Sequence, residues 1–577
     1  MFNKLLLGFC TVSLCLIGSV PGYEHVELLS NSGHVETLQV AGAGISQPTA
    51  ASAVTDNVIN VKSYGAKGDG KTEDTKAIYK AFKDAKTSGK TLYFPKGKYL
   101  IEWGQIYLEL NEKGIKIQGD GKQESVIKLK ETHNGGEFGN GIVLLSRSNP
   151  NIAPNVSISN IGITYDVYNS SLVFTRASTL LGLNGYFGKI YVDNCYFHIG
   201  GTSNNLPEDT CLFWHLGADL VSIKNCLIEN FTHNEAGGDI WIMTDDNDGT
   251  KITNHKINKV IIQGNEIKSS NRDEAIGLYP SAKNTKPTDC FKSVLITENI
   301  IRHKKYNNNS KDCSPTDGLV TVFLPNDSVP PVNASIVISN NKIQSQMASQ
   351  EVIRVVGFSG VDVANNKITV KGTTQKEILR TIYFGRDTKG VVENNTMDYS
   401  EITWCEVRVS LAGTAEAEWK NNDINTGGNF GISPTDGAKL VLKKNRITTL
   451  NDGIFVVRKN GDDARVFLYD NVVYGKTRLN YLYGTDFVIQ GNKFNVNTNN
   501  TNKYIISNQS KTGSLDYQMN DGIIIEFYDK ALTTKISSFT YRGKRSNLRF
   551  VVNDLEVPDS AETRAKFFIS CDIQYTD

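Results

Sequence analysis

Three aspartates near the middle of this 577-residue chain share a local frame: "GGDIWIM" holds Asp239, "NRDEAIGL" holds Asp273 and "PTDGLVTVF" holds Asp317. The third residue after each is apolar: Ile242, Ile276 and Val320. With those three pointing inward, the period-two rule of a strand turns all three aspartates outward along one strand edge. In a stack of coils they form a column whose neighbours lie about 5 Å apart and whose next-but-one members lie about 10 Å apart. Carboxyl pairs at roughly 5 to 5.5 Å serve retaining glycosidases, and pairs at roughly 6.5 to 9.5 Å serve inverting ones. Like charges this close favour a proton on one of them, as a general acid requires. Glu274, beside Asp273, points inward in this frame and is kept as an alternate acid. Trp241 and Tyr279 offer flat faces on which sugars stack. The competing reading is that aspartates beside glycines only shape solenoid turns. "DDND" at 245–248 lacks the full spacing of a calcium loop and reads as a solvated turn.

A second set is basic. Arg354, Arg380, Arg408 and Arg458 follow Asn341, Asn366, Asn395 and Asn445 by 13, 14, 13 and 13 residues, each among apolar neighbours. Arginines stacked on one sheet repel unless an anion lies over them. A uronate, or carboxylates of a partner chain, would satisfy them; Glu351 and Glu377 are the local alternatives for Arg354 and Arg380. An arginine or lysine that removes the proton α to a uronate carboxylate would make the reaction a β-elimination instead. With no CxxC pair and no HExxH, neither a metal nor another cofactor is expected.

The element that must position these residues is a repeat. "YVDNCYF" around Asn194 and "SIKNCLI" around Asn225 have siblings at Asn265, Asn299, Asn341, Asn366, Asn395, Asn422, Asn445, Asn471 and Asn492. From Asn341 onward the intervals are 25, 29, 27, 23, 26 and 21 residues, with period-two alternation between them. A unit this short cannot bury its own apolar face and must stack on its neighbours. Parallel strands coiled in this way form a β-helix. The asparagine is expected to turn the corner, in the left-handed conformation it tolerates, and to bond to the asparagine of the next coil. Cys195 and Cys226 each follow a repeat asparagine, so they are expected to stack as a core thiol pair. Intervals of 40, 34 and 42 residues between Asn225 and Asn341 mark loop insertions, which in solenoids gather on one face, often the binding face.

Composition narrows the partners. Lys plus Arg at 62 against Asp plus Glu at 61 offers no global attraction for nucleic acid or an anionic membrane. "MFNKLLLGFCTVSLCLIGSV" reads as a secretory signal or as a hydrophobic peptide that docks to a partner; no other stretch is long and apolar enough to span a bilayer. Outside that segment seven cysteines remain, an odd and scattered set that argues against a disulfide framework.

At the head of the repeats, Thr72 is the expected N-cap of a helix whose Ile78, Ala81, Phe82 and Ala85 share one face and which Gly89 closes. Such a helix would cover the open end of a solenoid. "YGAKGDGKTEDTKAIYKA" followed by "LYFPKGKYLI" resembles the opening of the pectate-lyase-like superfamily of bacteriophage tailspikes and related polysaccharide-degrading enzymes. Those families begin with a G-D-G-x-T-D-D-T-x-A-I pattern; Glu73 stands here at the first of the paired acids.

The resemblance covers roughly residues 60–500 and implies a right-handed parallel β-helix, commonly a homotrimer, in which Asp69 and Asp74 are structural rather than catalytic. It implies a depolymerase that cleaves a bacterial capsular or exopolysaccharide, by carboxylate hydrolysis or by lyase chemistry. It also implies a location on a virion tail, with the N-terminal segment meeting other tail proteins, or secretion as a pectinase-like enzyme. The non-enzymatic alternative is a receptor-binding or adhesive β-helix. The expected domains are an anchor or signal segment over 1–55, the β-helix over 56–500, and a small β domain over 512–577 for trimerisation or carbohydrate binding.

Overall fold

The computed structural model describes residues 57–102, 104–130, 140–146, 151–167, 179–201, 210–231, 238–244, 256–270, 274–280, 291–304, 318–324, 333–346, 351–371, 378–403, 406–435, 437–450, 454–458, 464–474, 476–480 and 487–497. It also describes strands at 26–29, 35–38, 506–507, 523–528, 535–541, 548–552, 555–556 and 567–576. The chain divides into two compact units, residues 1–56 and 57–577. In the first, Val26–Leu29 pairs antiparallel with Val35–Leu38. Residues 1–22, the signal-like segment, lie outside the described residues; among the described ones, no helix is long and apolar enough to cross a membrane.

The second unit is a parallel β-helix. Each coil contributes three strands, and each strand pairs in parallel with its counterpart one coil on. Ile257–Gln263, Phe291–Thr297 and Ser335–Ser339 illustrate one of the three stacks. Strand, crossover and parallel strand connect right-handedly in nearly all proteins, which gives the coil its hand. Inward residues form columns along the axis, one being Ile262, Ile296, Ile338, Val363, Val392, Trp419, Leu442 and Leu468. All are buried, at about 1.5–3 kcal/mol for each large aliphatic side chain.

The expected double role of the repeat asparagine is divided between two adjacent positions. The left-handed corner is taken by Asn194, Asn225, Glu298, Asn340, Asn365, Asn394, Asn421, Lys444 and Asp470, and by Gly264 and Gly491, with φ between 50° and 67°. The next residue forms the interior ladder. From Asn265 to Asn492, each Nδ2 donates to the Oδ1 one coil on at 2.8–3.0 Å. Each backbone N–H in the ladder reaches that same Oδ1, and each Nδ2 also donates to a carbonyl of the preceding coil. The ladder is therefore satisfied in the dry interior, where an unmet amide would be costly. Asn194 and Asn225 are corner residues, and Cys195 and Cys226 occupy the ladder position beside them; Cys226 N–H donates to Asn265 Oδ1 at 2.9 Å. Both thiols are buried and in no disulfide, as is Cys211.

The helix spans Thr75–Ser88 and lays Ile78, Ala81, Phe82 and Ala85, all buried, on the first strands, with the Phe82 and Phe94 rings 6.4 Å apart edge to face. Its N-cap is Asp74 rather than Thr72, which belongs to the strand Asp69–Glu73. The Asp74 carboxylate is engaged elsewhere, accepting the N–H groups of Lys67 and Gly68 at 2.7 and 3.0 Å. Asp69 accepts the N–H groups of Thr72 and Lys71, which hold its carboxyl down to about 2. Gly89 closes the helix at φ 76°. Toward the C-terminus, Ile523–Tyr528 and Lys535–Tyr541 form an antiparallel pair, and Phe567–Thr576 pairs in parallel with Phe487–Asn497.

Candidate functional site

The sheet stack that carries the candidate residues runs through Thr210–Lys224, Ile240–Thr244, Ile276–Pro280, Gly318–Phe323, Glu351–Val356, Ile378–Phe384 and Glu406–Leu411. Its register corrects the aspartate frame. Ile276 faces Val320 as expected, but Ile242 faces Leu278, and it is Ile240 that faces Ile276. Asp239 is therefore displaced by two residues from the expected level. Asp273 and Asp317 lie outside the described residues.

The chain bends at residues 239 and 275, just before each strand, and the bend shifts the inside–outside alternation by one residue. Asp239 consequently joins a column with Ala275, Leu319 and Val352, all of them buried, and is itself fully buried instead of facing outward. The preceding residues, Gly238, Glu274, Gly318 and Glu351, make up the adjoining column. Glu274 thus reverses the expectation: its carboxylate turns to the outer side of the sheet over Gly277, where it is buried.

Gly277 marks where these side chains converge. A Cβ added there would lie 2.9 Å from Tyr279 Cε2, 3.2 Å from Trp241 Cδ1 and 3.4 Å from Glu274 Oε2. The absent side chain lets an indole, a phenol and a carboxylate close over Gly277, and the Tyr279 hydroxyl donates to Glu274 Oε1. Trp241 and Tyr279 meet edge to face at 5.9 Å, Tyr279 lies 5.8 Å from Phe323, and the Arg354 guanidinium sits 5.1 Å from the Phe323 ring centroid. Rings and one cation follow one another across four coils, about 14 Å at the spacing of parallel strands. Phe323 escaped the sequence reading; its signal was the alternation of "GLVTVF", which turns it outward beside inward Val322.

The arginines do not form a single column. Arg380 faces Arg408, but Arg354 faces Tyr383, and Arg458 faces Asn480. A register irregularity between Arg380 and Tyr383 displaces the neighbours. Arg380 is ion-paired with Glu351 across the coil at 2.5 Å and lies 5.1 Å over the Tyr383 ring; Arg408 is held by Glu406 at 2.8 Å. Glu351 thus serves Arg380 rather than Arg354, and Glu377 lies outside the described residues. Among the described residues, no group of three or more His, Cys, Asp or Glu is placed to hold a metal ion.

A second polar cluster lies on a different stack. His198 sits between Glu229 and Asp166, at 3.0 and 3.1 Å, and Glu229 also takes Lys268 Nζ and the Tyr196 hydroxyl, each at 2.9 Å. Burial pushes the His198 imidazole down, but the two carboxylates outweigh it and raise it to about 9. Burial pushes Glu229 up, while His198, Lys268 and Tyr196 bring it down to about 2. The cluster ties four successive coils together through internally matched charges.

Residues 58–279 match the family described as rhamnogalacturonase A/epimerase, pectate lyase-like, which bears out the resemblance read from the opening motif. An alginate lyase of Azotobacter vinelandii is 45% identical over 74 residues, 12% of this chain and 9% of its own. A preneck appendage protein of Bacillus phage PZA is 38% identical over 79 residues, 14% of this chain and 8% of its own. These matches thus span less than a tenth of either relative. Tailspike protein 3 of bacteriophage CBA120 aligns over 83% of this chain and 67% of its own at 12% identity, with a TM-score of 0.35. Over residues 58–279 this parallel β-helix is thus similar to a pectate-lyase-like family, and the proteins it matches in part include a polysaccharide-active enzyme.

Proposed function

We propose that this protein cleaves a bacterial surface polysaccharide bound along the outer face of the stack from Ile240–Thr244 to Ile378–Phe384. The convergence of Glu274, Trp241 and Tyr279 over Gly277 carries the reading. A sugar ring stacked on the aromatic run would have the Glu274 carboxyl at its edge, where general-acid catalysis needs a proton donor. Arg354 would hold an anionic unit, such as a uronate, one or two coils further on. Asp273 remains a second candidate acid because it adjoins Glu274 in sequence. Asp239, buried in the wall, would position Glu274 through their shared backbone hydrogen bond of 3.0 Å.

The likeness to a phage appendage protein supports a virion-associated or extracellular setting for this activity. Self-association, which the family resemblance implies, would use the outward aliphatic column Ile261, Leu295 and Val337 of the neighbouring stack. The test is incubation of the purified protein with capsular and exopolysaccharides of differing uronate content, followed by mass analysis of the products. Shortened chains with saturated ends support hydrolysis, and ultraviolet-absorbing unsaturated ends support β-elimination. Binding without shortening would leave an adhesive β-helix as the function.

A further inference from the structure

One corner of the rod carries charge that the fold does not match. Between the strands Lys389–Glu393 and Glu416–Lys420 the outward charges are paired: Lys389 meets Glu416 at 2.9 Å, and Lys420 meets Glu393 at 2.7 Å. The next coil instead reads "KKNR" at 443–446. Lys443 ends one strand, Lys444 turns the corner, Asn445 enters the ladder and Arg446 begins the following strand, so three cations leave one turn. All three are exposed. Lys443 faces Lys420 on one side and Tyr469 on the other, and Lys439 of the same strand faces Arg465. Like charges stacked at strand spacing repel. Asp423 lies opposite Arg446 and Asp470 takes the next corner, yet among the described residues none of the three cations is ion-paired.

Lys444 holds the left-handed corner at φ 55°, where other coils place Asn340, Asn365, Asn394 and Asn421. Asparagine suits that conformation better than lysine does, so the charge stands where another residue would turn the chain more easily. Flat rings flank the cations. Phe467 and Tyr469 point outward on the next strand with nearly parallel rings, 6.3 Å between centroids and 18° apart. Tyr474 is 38% exposed and lies 5.3 Å from the Arg446 guanidinium. Cations alone suit any anion. Cations beside ring faces suit a sugar that carries an acid, because the rings take its C–H face and the cations its carboxylate.

We infer that the corner from Lys443 to Arg446 is a second binding site, which takes the acidic units of a polysaccharide. It rests on the glycan-cleaving reading only for the class of its ligand. The corner joins the two stacks that do not carry Trp241, Tyr279 and Glu274, so a chain held here leaves that face open. It also lies four coils beyond Val337, about 19 Å along the rod, clear of the outward aliphatic column. A second hold on the same polymer raises the effective concentration of its other segments at the cleavage face without any new contact there.

The test uses the full-length protein and two oligosaccharides of equal length, an oligogalacturonate and a neutral dextran oligomer. Amines are acetylated with and without each sugar, and the chain is then mapped by peptide mass. The uronate should protect Lys443 and Lys444, the protection should vanish in about 0.5 M NaCl, and dextran should protect neither. Lys444→Asn gives the corner the residue that Asn394 and Asn421 already use there. It should weaken uronate binding, read by isothermal titration, about two- to fivefold; combined with Lys443→Gln and Arg446→Gln the loss should reach at least about tenfold. Equal protection by dextran, or none by the uronate, overturns the site, and the wild-type map decides should the triple variant not fold. Protection by a DNA oligonucleotide but not by the uronate would make the corner a nucleic-acid contact and overturn it as well. Shortening of a glycan without lysine protection sinks this inference alone. Protection without shortening of any glycan sinks the cleavage reading and leaves the corner standing.

Discussion

Asn395 and Asn394 are neighbours in the sequence with opposite jobs, and replacing each tests how the coil is built. Asn395 Oδ1 accepts the backbone N–H of Asn366 at 2.9 Å and its Nδ2 at 3.0 Å; its own Nδ2 donates to the Val363 carbonyl at 2.8 Å and to Asn422 Oδ1 at 3.0 Å. Asn395→Ala deletes all four bonds. Asn366 Nδ2 keeps the Ile338 carbonyl, and Asn422 Oδ1 keeps the backbone N–H of residue 395, but the Asn366 N–H loses its acceptor in the dry interior. At about 1–3 kcal/mol for a stranded buried donor and about 0.5–1.5 kcal/mol for each other bond, the loss is about 3–6 kcal/mol. Asn394, at φ 55°, only has to tolerate the left-handed corner, which glycine does at least as well, so Asn394→Gly should change stability by less than about 1 kcal/mol. Urea unfolding followed by far-ultraviolet circular dichroism measures both. Midpoints of the two variants and the wild type are to be compared directly, because a coil stack need not unfold in one step. Equal tolerance of the two changes, or a larger loss at Asn394, would refute the division of labour between corner and ladder.

Four shorter predictions follow from the same coordinates. His198, raised to about 9 from 6.5, contributes stability that is complete below pH about 6.5 and is lost as the pH rises through about 9. At 1.36 kcal/mol per unit the loss is at most about 3 kcal/mol, so melting temperatures between pH 6 and 10 should fall more steeply for the wild type than for His198→Gln. Gly277→Val should weaken binding of the glycan, measured by isothermal titration, and lower the unfolding midpoint in urea, because its Cβ would lie 2.9 Å from Tyr279 Cε2 and must displace the Trp241–Tyr279 pair. Trp241→Ala should reduce affinity for the same glycan by about 0.5–1.5 kcal/mol, the worth of a lost aromatic face, without altering the product pattern. Peptide mapping after maleimide treatment should find Cys195, Cys211 and Cys226 unmodified until the chain is unfolded, because all three are buried.

The fold was legible because stacking writes one signal many times. Period-two alternation and the recurring asparagine are set by each coil separately, so "VISNNKI" and "VANNKIT" carry the same instruction. The division of the corner from the ladder was present too, in the pairs Asn340–Asn341, Asn365–Asn366 and Asn394–Asn395, but a doubled asparagine does not declare which member turns inward. The site was less legible because it depends on register between coils separated by insertions. Counting three residues onward from Asp239, Asp273 and Asp317 assumed equal entry into each strand, and the bends at 239 and 275 removed that assumption. One residue of slip moved Asp239 into the wall and turned the buried Glu274 carboxylate to the outer side of the sheet, beside Tyr279. The arginine spacing failed for a related reason: an irregularity within one strand, between Arg380 and Tyr383, separates residues that sequence intervals align.

The most direct measurement is the cleavage rate of Glu274→Gln on a glycan that the wild type shortens, taken alongside its affinity for that glycan. The variant should bind within a few-fold of wild type, through the intact run of Trp241, Tyr279 and Phe323, and should cut at least about 100-fold more slowly. Cleavage at the wild-type rate would place the chemistry elsewhere on the rod.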